Sequence, residues 1–274
     1  MKITVASVVS VIAVIFVVVF FFGPMYWMIT MAFKPDYQWA LSPPPLIPTT
    51  PTWNNFYESL LVMGGLKGIG DSFIIATSNM LLSLLIGTVA GYGLSRYRVR
   101  GKENLSFFIL SQRMLPAAAF AVPFYILYRT LGLYDTYLGI ILVDLTFNVP
   151  LAVWMLQSFF EEIPKQLDEA ARLDGASLPR ILRSVILPAG LPGLVGTGLI
   201  LFMFSWNEFL LNLFLTLISV TPFPTLVPRF TGAHDVLYGD ISAAALVASL
   251  PVIIIAVLLQ RQLIRSLTFG GVKG

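Results

Sequence analysis

Residues 160–188 read FEEIPKQLDEAARLDGASLPRILRSVILP, a polar island in an otherwise oily chain. Glu161, Glu162, Lys165, Asp168, Glu169, Arg172, Asp174, Arg180 and Arg183 crowd into residues 160–186. The apolar runs on either side, 136–159 and 187–217, carry one acid each, Asp144 and Glu208. Inside the island, Leu167, Ala170, Ala171 and Leu173, with Leu178 beyond, recur at helical steps, which predicts a short amphipathic helix. Pro164 suits its start, and Asp168 and Glu169 sit in the early turns where the dipole favours anions. Gly175 can end it, and Ser177 with Pro179 can begin another. The island therefore reads as a helix-turn-helix, one face packed on a bundle and the other open to a partner.

Working outward, the flanks extend to the whole chain. Of 274 residues, 57% are hydrophobic and 11% charged, with a mean hydropathy of +0.84. Soluble domains hold about 45–50% apolar and about 25% charged residues, so the solvent of this chain is largely lipid. Six runs are long enough to cross about 30 Å of hydrocarbon as helices: residues 8–31, 72–95, 107–128, 136–159, 187–217 and 241–263. The first runs on through Trp27 to Phe33 with no small-residue cleavage site, and reads as an uncleaved span. The fifth exceeds one span, and Pro192 and Gly193 should kink it near its start. Ser83, Gly87, Gly91 and Ser95, four residues apart, read as a packing stripe.

The loops set an orientation. With the N-terminus inside, twelve Lys and Arg fall in inner segments: Lys2; Arg96, Arg98, Arg100 and Lys102; Lys165, Arg172, Arg180 and Arg183; Arg261, Arg265 and Lys273. Four fall outside: Lys34, Lys67, Arg129 and Arg229. That imbalance predicts both termini in the cytoplasm. The outer stretches 34–70 and 218–240 are rich in proline and too short to form domains, so residues 1–274 read as a single membrane domain. No Cys is present and His234 is the only His, which excludes disulfides and thiolate metal sites and leaves no Ser-His-Asp set within the spans. Net charge is +3, and the bases mark topology, not nucleic-acid binding.

The spacing within the island goes further. Glu169-Ala170-Ala171, three residues, Gly175, nine residues, then Val185-Ile186-Leu187-Pro188 resembles the EAA motif of permeases in binding-protein-dependent ATP-binding-cassette (ABC) importers. Val185 departs from the Ile of that pattern. The lead-in Ile163-Pro164 and the extension Asp174-Gly175-Ala176 are similar to its carbohydrate branch. So are Met114-Leu115-Pro116, Pro123, Tyr125, Leu131-Gly132-Leu133 with Thr136, and Trp206-Asn207-Glu208-Phe209. The ending, from Leu267-Thr268 to Gly271-Val272-Lys273-Gly274, resembles the second, six-span permease of the maltose-type pair. The likeness spans residues 20–274.

This resemblance implies an all-α membrane protein, six transmembrane helices with a coupling helix-turn-helix between the fourth and fifth, and a transport role without catalysis. It implies that Glu169, Ala170, Ala171, Asp174 and Gly175 engage an ATP-binding subunit. The chain has no Gly-x-x-x-x-Gly-Lys-Ser/Thr loop, so ATP and Mg belong to that separate subunit. The implied partners are two such ATPases, a second permease, membrane lipid and an external sugar-binding protein. The implied cargo is a di- or oligosaccharide, with a polyol, glycerol phosphate or other polar solute as alternative; an ATP-independent carrier is a more distant reading.

Counting from Glu169, the resemblance lands the substrate path near Asn148, Leu151, Ser205 and Glu208. Ser205, Glu208 and Asn212 also fall at i, i+3 and i+7, giving the fifth span a polar face. A charge in mid-bilayer costs about 2.5–3.5 kcal/mol on insertion scales and faces a cavity or a partner. Glu208 reads equally as path or as polar tie between helices; Asp144 and Arg113 read as ties.

Overall fold

A helix is the one open-ended way for a chain to satisfy its backbone in lipid, and the apolar runs become helices accordingly. The computed structural model describes residues 5–231 and 236–269, with side chains described over 10–231 and 236–260. Lys2, His234 and the ending from Gly271 lie outside the described residues, as do the side chains of Arg261, Arg265, Leu267 and Thr268. In chain order the main helices are α1 (Val5–Ala32), α2 (Gly65–Arg96), α3 (Lys102–Ser111), α4 (Ala117–Thr130), α5 (Tyr137–Glu162), α6 (Lys165–Leu173), α7 (Leu178–Ala189), α8 (Leu191–Trp206), α9 (Leu210–Leu215) and α10 (Tyr238–Phe269). Extended pairing among the described residues is limited to one bridge, Thr231 with Val236.

Four helices are continuous and apolar enough to cross a membrane: Ser10–Ala32 of α1, α2, α5 and Tyr238–Gln260 of α10. The total reaches six only if each of two bent pairs is one span. Both bends correct the sequence reading. The expected third span, 107–128, is interrupted: α3 closes in a 3-10 turn at Gln112–Met114, and α4 leaves at 82°. Pro116 forces Leu115 out of the helical region, to φ −70° and ψ 134°. In the fifth, α7 and α8 meet at 81°. The break lies at Gly190, not at Pro192 and Gly193; Pro192 fits the first turn of α8, where its missing N–H costs nothing. Nor does that helix run to Leu217. It ends at Trp206, and α9 begins only at Leu210.

The contacts form two compact units, residues 1–67 with 226–250 and residues 68–225 with 251–274. In the first, α1 leaves every side chain from Ser10 to Phe22 exposed. The proline-rich stretch after it is stapled down: Asn55 Nδ2 donates to the carbonyls of Ala32 at 3.0 Å and Lys34 at 2.8 Å. The rings of Phe33, Trp53 and Phe56 pack edge-on or tilted, with centres 4.9–5.3 Å apart. Lys34 is fully buried with its ammonium 4.2 Å from the centre of the Trp27 ring.

In the second unit, α8 and α3 pack on α5, and α9 on α4 and α5. The small-residue stripe brings α2 against α5. A β-carbon on Gly87 would lie 2.6 Å from the Ala152 methyl, and one on Gly91 would lie 2.9 Å from the Gln157 backbone nitrogen. Only glycine permits that approach. One apolar cluster gathers Tyr92, Leu156, Phe160, Ile181 and Ile186, where α2 and α5 meet α7. Another gathers Ile140, Val143, Leu211 and Leu215 around α5 and α9.

Candidate functional site

The polar island folds as read, into α6 and α7 joined by a turn in which Gly175 takes φ +77°, the left-handed region open to glycine. One side of α6 packs and the other is open, and the structure decides which is which. Asp168 is buried, 4% exposed, while Glu169, Ala170 and Asp174 are exposed and Ala171 is half-buried. Asp168 accepts a hydrogen bond from Tyr92 Oη at 3.2 Å and pairs with Nε of Arg96. The remaining nitrogens of Arg96 donate to the carbonyls of Phe160 at 2.7 Å and Ile163 at 3.0 Å. The last carbonyls of a helix have no partner inside it and carry its negative end, so a guanidinium is well placed there. One planar fork at the end of α2 thus holds the end of α5 and the flank of α6.

The acid of α6 that the bundle buries is Asp168, one residue before the Glu169 of the motif. The apolar stripe is also turned. Leu173 is 89% exposed and Leu167 and Leu178 are exposed too. On a helix, Leu173 and Ala170 lie opposite Asp168 and Arg172, so anchoring Asp168 aims them outward.

A polar cavity of about 170 Å³ lies further along α5, lined by Arg113, Asp144, Asn148, Ser205 and Glu208 together with Phe147, Phe204 and Leu211. Both helix breaks serve it. Arg113 stands in the 3-10 turn before Pro116, and Glu208 in the unwound 207–209 between α8 and α9. Non-helical backbone at membrane depth is tolerated where it lines such a cavity. Arg113 Nη1 donates to the Phe147 carbonyl at 2.8 Å and to Asn148 Oδ1 at 3.0 Å, and its guanidinium lies 3.9 Å from the centre of the Phe204 ring. Asn148 Nδ2 donates to Asn79 Oδ1 of α2 at 2.6 Å. Ser205 donates to Asp144. Glu208 Oε1 accepts the Leu211 amide at 3.0 Å, leaving Oε2 available to the cavity.

Residues 83–269 match the family described as the binding-protein-dependent transport system inner membrane component. The chain belongs to that family. It is 34% identical to the trehalose transport system permease protein SugB of Mycobacterium tuberculosis (strain CDC 1551 / Oshkosh), over 92% of each chain. It is 31% identical to the trehalose/maltose transport system permease protein MalG of Thermococcus litoralis, over 92% of this chain and 91% of that one. Its fold is similar to a chain of a bacterial ABC transporter that imports the acidic polysaccharide alginate, with a TM-score of 0.78 at 20% identity over 95% of this chain and 99% of that one. It also resembles a chain of the MetNI methionine ABC transporter, at 0.57 and 20% identity over 74% and 94%.

In this membrane component, three of the four expected path residues, Asn148, Ser205 and Glu208, line one cavity. Leu151, one turn further along α5, stands outside the lining. The expected continuous polar face of Ser205, Glu208 and Asn212 is broken by the unwinding at Asn207, which leaves Asn212 out of the lining. Arg113 and Asp144, read as ties, are walls of the same cavity, because the break at Pro116 turns Arg113 inward.

Asp135 escaped the sequence reading altogether. At φ +58° it aims its carboxylate at four backbone amides in a row, Leu217 (2.8 Å), Ile218 (3.2 Å), Ser219 (2.9 Å) and Val220 (3.2 Å). Burial alone raises its pKa; the four amides overcome that and bring it down to about 2. Asp71 extends the grip, accepting the Thr221 amide at 2.8 Å and the Tyr137 hydroxyl at 2.7 Å. The only hint in sequence was an Asp two residues from Tyr137 after a Gly-bearing turn.

Proposed function

We propose that this membrane component imports a sugar, a di- or oligosaccharide, as one half of an ATP-driven pathway, and takes its energy through α6 and α7 from a separate ATP-binding subunit. One observation carries the reading: α6 is anchored through Asp168 and leaves its apolar side, with Leu173 89% exposed, uncovered. An apolar stripe left open beside a tied joint is how a lever meets a motor. The named relatives handle trehalose and maltose, and a cavity of hydroxyl-matching groups beside an aromatic ring suits such cargo.

Arg113, Asn148, Ser205 and Glu208 offer donors and acceptors to sugar hydroxyls in this reading, and Glu169, Ala170, Ala171, Asp174 and Gly175 meet the ATPase, which binds ATP and Mg. A second permease supplies the opposite wall, and a binding protein delivers the sugar to the side of residues 216–223. The excess of bases in the loops on the lever side supports both termini on the ATPase side.

The test is uptake of labelled trehalose, maltose, a polyol and glycerol phosphate by the assembled complex in proteoliposomes, with ATP inside and a binding protein outside. ATP-dependent sugar uptake, abolished by Gly175→Asp in a complex that still assembles, supports the reading. Uptake without ATP, or uptake undisturbed by Gly175→Asp, removes the lever.

A further inference from the structure

We propose that Arg96 is a positioning residue that locks the lever helix, the second span and the fourth span into one moving body, so that displacement at Leu173 reaches the cavity. The inference rests on the lever reading above and adds the joint through which it acts.

The observations are geometric. Arg96 belongs to α2, two of its acceptors to the end and exit of α5, and the third to α6. The Arg96 and Asp168 side chains are 4% and 6% exposed, so each is the other's main charged partner. On the same side of α6, Arg172 adds hydrogen bonds to Tyr92 and Tyr97 at the end of α2; apolar contacts such as that of Ala171 slide, and a directional, charge-assisted set does not. About one turn away, Gly91 lets α2 touch the Leu156–Gln157 backbone directly, so the two spans have no room to shear. Both spans then run on to the cavity. Asn148 lies about 18 Å along α5 from Phe160, and Asn79 about 25 Å along α2 from Arg96, at 1.5 Å per residue. There the two meet again, Asn148 bonded to Asn79 and to Arg113. A frame closed at both ends by polar bonds and in the middle by a glycine contact moves as a unit. Charges buried this fully are worth little as net stability, which makes a role in transmission the more economical reason for them.

The experiment uses the complete importer in proteoliposomes, with its second permease, ATPases and sugar-loaded binding protein. The readout is the ratio of stimulated to unstimulated ATP hydrolysis within one preparation, which does not depend on how much complex was recovered. Asp168→Asn and Arg96→Lys should each lower that ratio about fivefold or more, with uptake falling alongside, and Asp168→Glu should recover most of it. If Asp168→Asn fails to assemble, Tyr92→Phe, which removes the hydroxyl shared by Asp168 and Arg172 of α6 and keeps the ring, should still lower the ratio about twofold. A ratio unchanged in the variants that assemble overturns the proposal, as does loss of complex with the ratio per complex intact. Gly175→Asp separates the two readings. If it keeps full stimulation, the lever itself is wrong; if it loses stimulation while Arg96→Lys, Asp168→Asn and Tyr92→Phe keep it, the lever stands and the joint falls.

Discussion

Two charged clusters lie along α5, and they are built to opposite rules. At the lever end, Arg96 spends its donors on Asp168 and two helix-end carbonyls, in a setting closed by Tyr92, Phe160, Ile181 and Ile186. In the cavity, Arg113 bonds only through Nη1, Glu208 through one oxygen, and both remain half-exposed toward open space. The same residue types are thus ion-paired and held by several partners in one cluster and left facing open space in the other. The number of partners, not the charge, separates the two clusters.

The Arg96 cluster should be the more sensitive of the two. Arg96→Ala strips Asp168 of its ion partner in a buried setting and should cost about 3–5 kcal/mol, read as a lowered unfolding temperature of the purified complex. Gly91→Val places atoms where the α5 backbone stands and should cost about 1–3 kcal/mol by the same measurement, with Tyr92 and Arg96 displaced together. Arg113→Ala is the contrasting case. It should leave the unfolding temperature within about 1 kcal/mol equivalent while cutting sugar uptake about tenfold. Glu208→Gln and Ser205→Ala should each reduce uptake about fivefold with normal assembly; unchanged uptake for every accepted solute would remove them from the path.

The smallest effect lies at Asp135. Its carboxyl is held down to about 2 in the folded chain against 3.8 ordinarily, so its grip is fully present above pH 4 and is lost as pH falls toward 2. With no cysteine in the chain, a fluorophore on a single Ile218→Cys reports that loop. Its emission should be flat from pH 7 to 5 and change between about 4 and 2. In Asp135→Asn the change in that window should vanish.

Much of the lever was legible because its signals are local. Pro164, Gly175, Ser177 and Pro179 act on their own neighbours, and the helices begin and end beside them. The direction in which α6 faces was not legible, since an apolar stripe says that something apolar is nearby without saying whether it is the bundle or a partner. In the cavity, Asn148, Ser205 and Glu208 stood out as polar residues in apolar runs, whereas Arg113 needed the 82° bend at Pro116 to bring it beside them.

Residue pattern alone was enough to show that the chain is helical and lipid-embedded, where its polar helix-turn-helix lies, and which spacing marks its family. Those properties follow from composition, period and backbone-restricting residues, whose effects reach only a few positions along the chain. Tertiary structure decided that Asp168 is the buried acid of α6, that two apolar runs are bent by 82° and 81°, and that Arg96 and Arg113 sit in different surroundings. Each depends on which distant carbonyls and carboxylates a long side chain can reach, and that is set only when the helices pack.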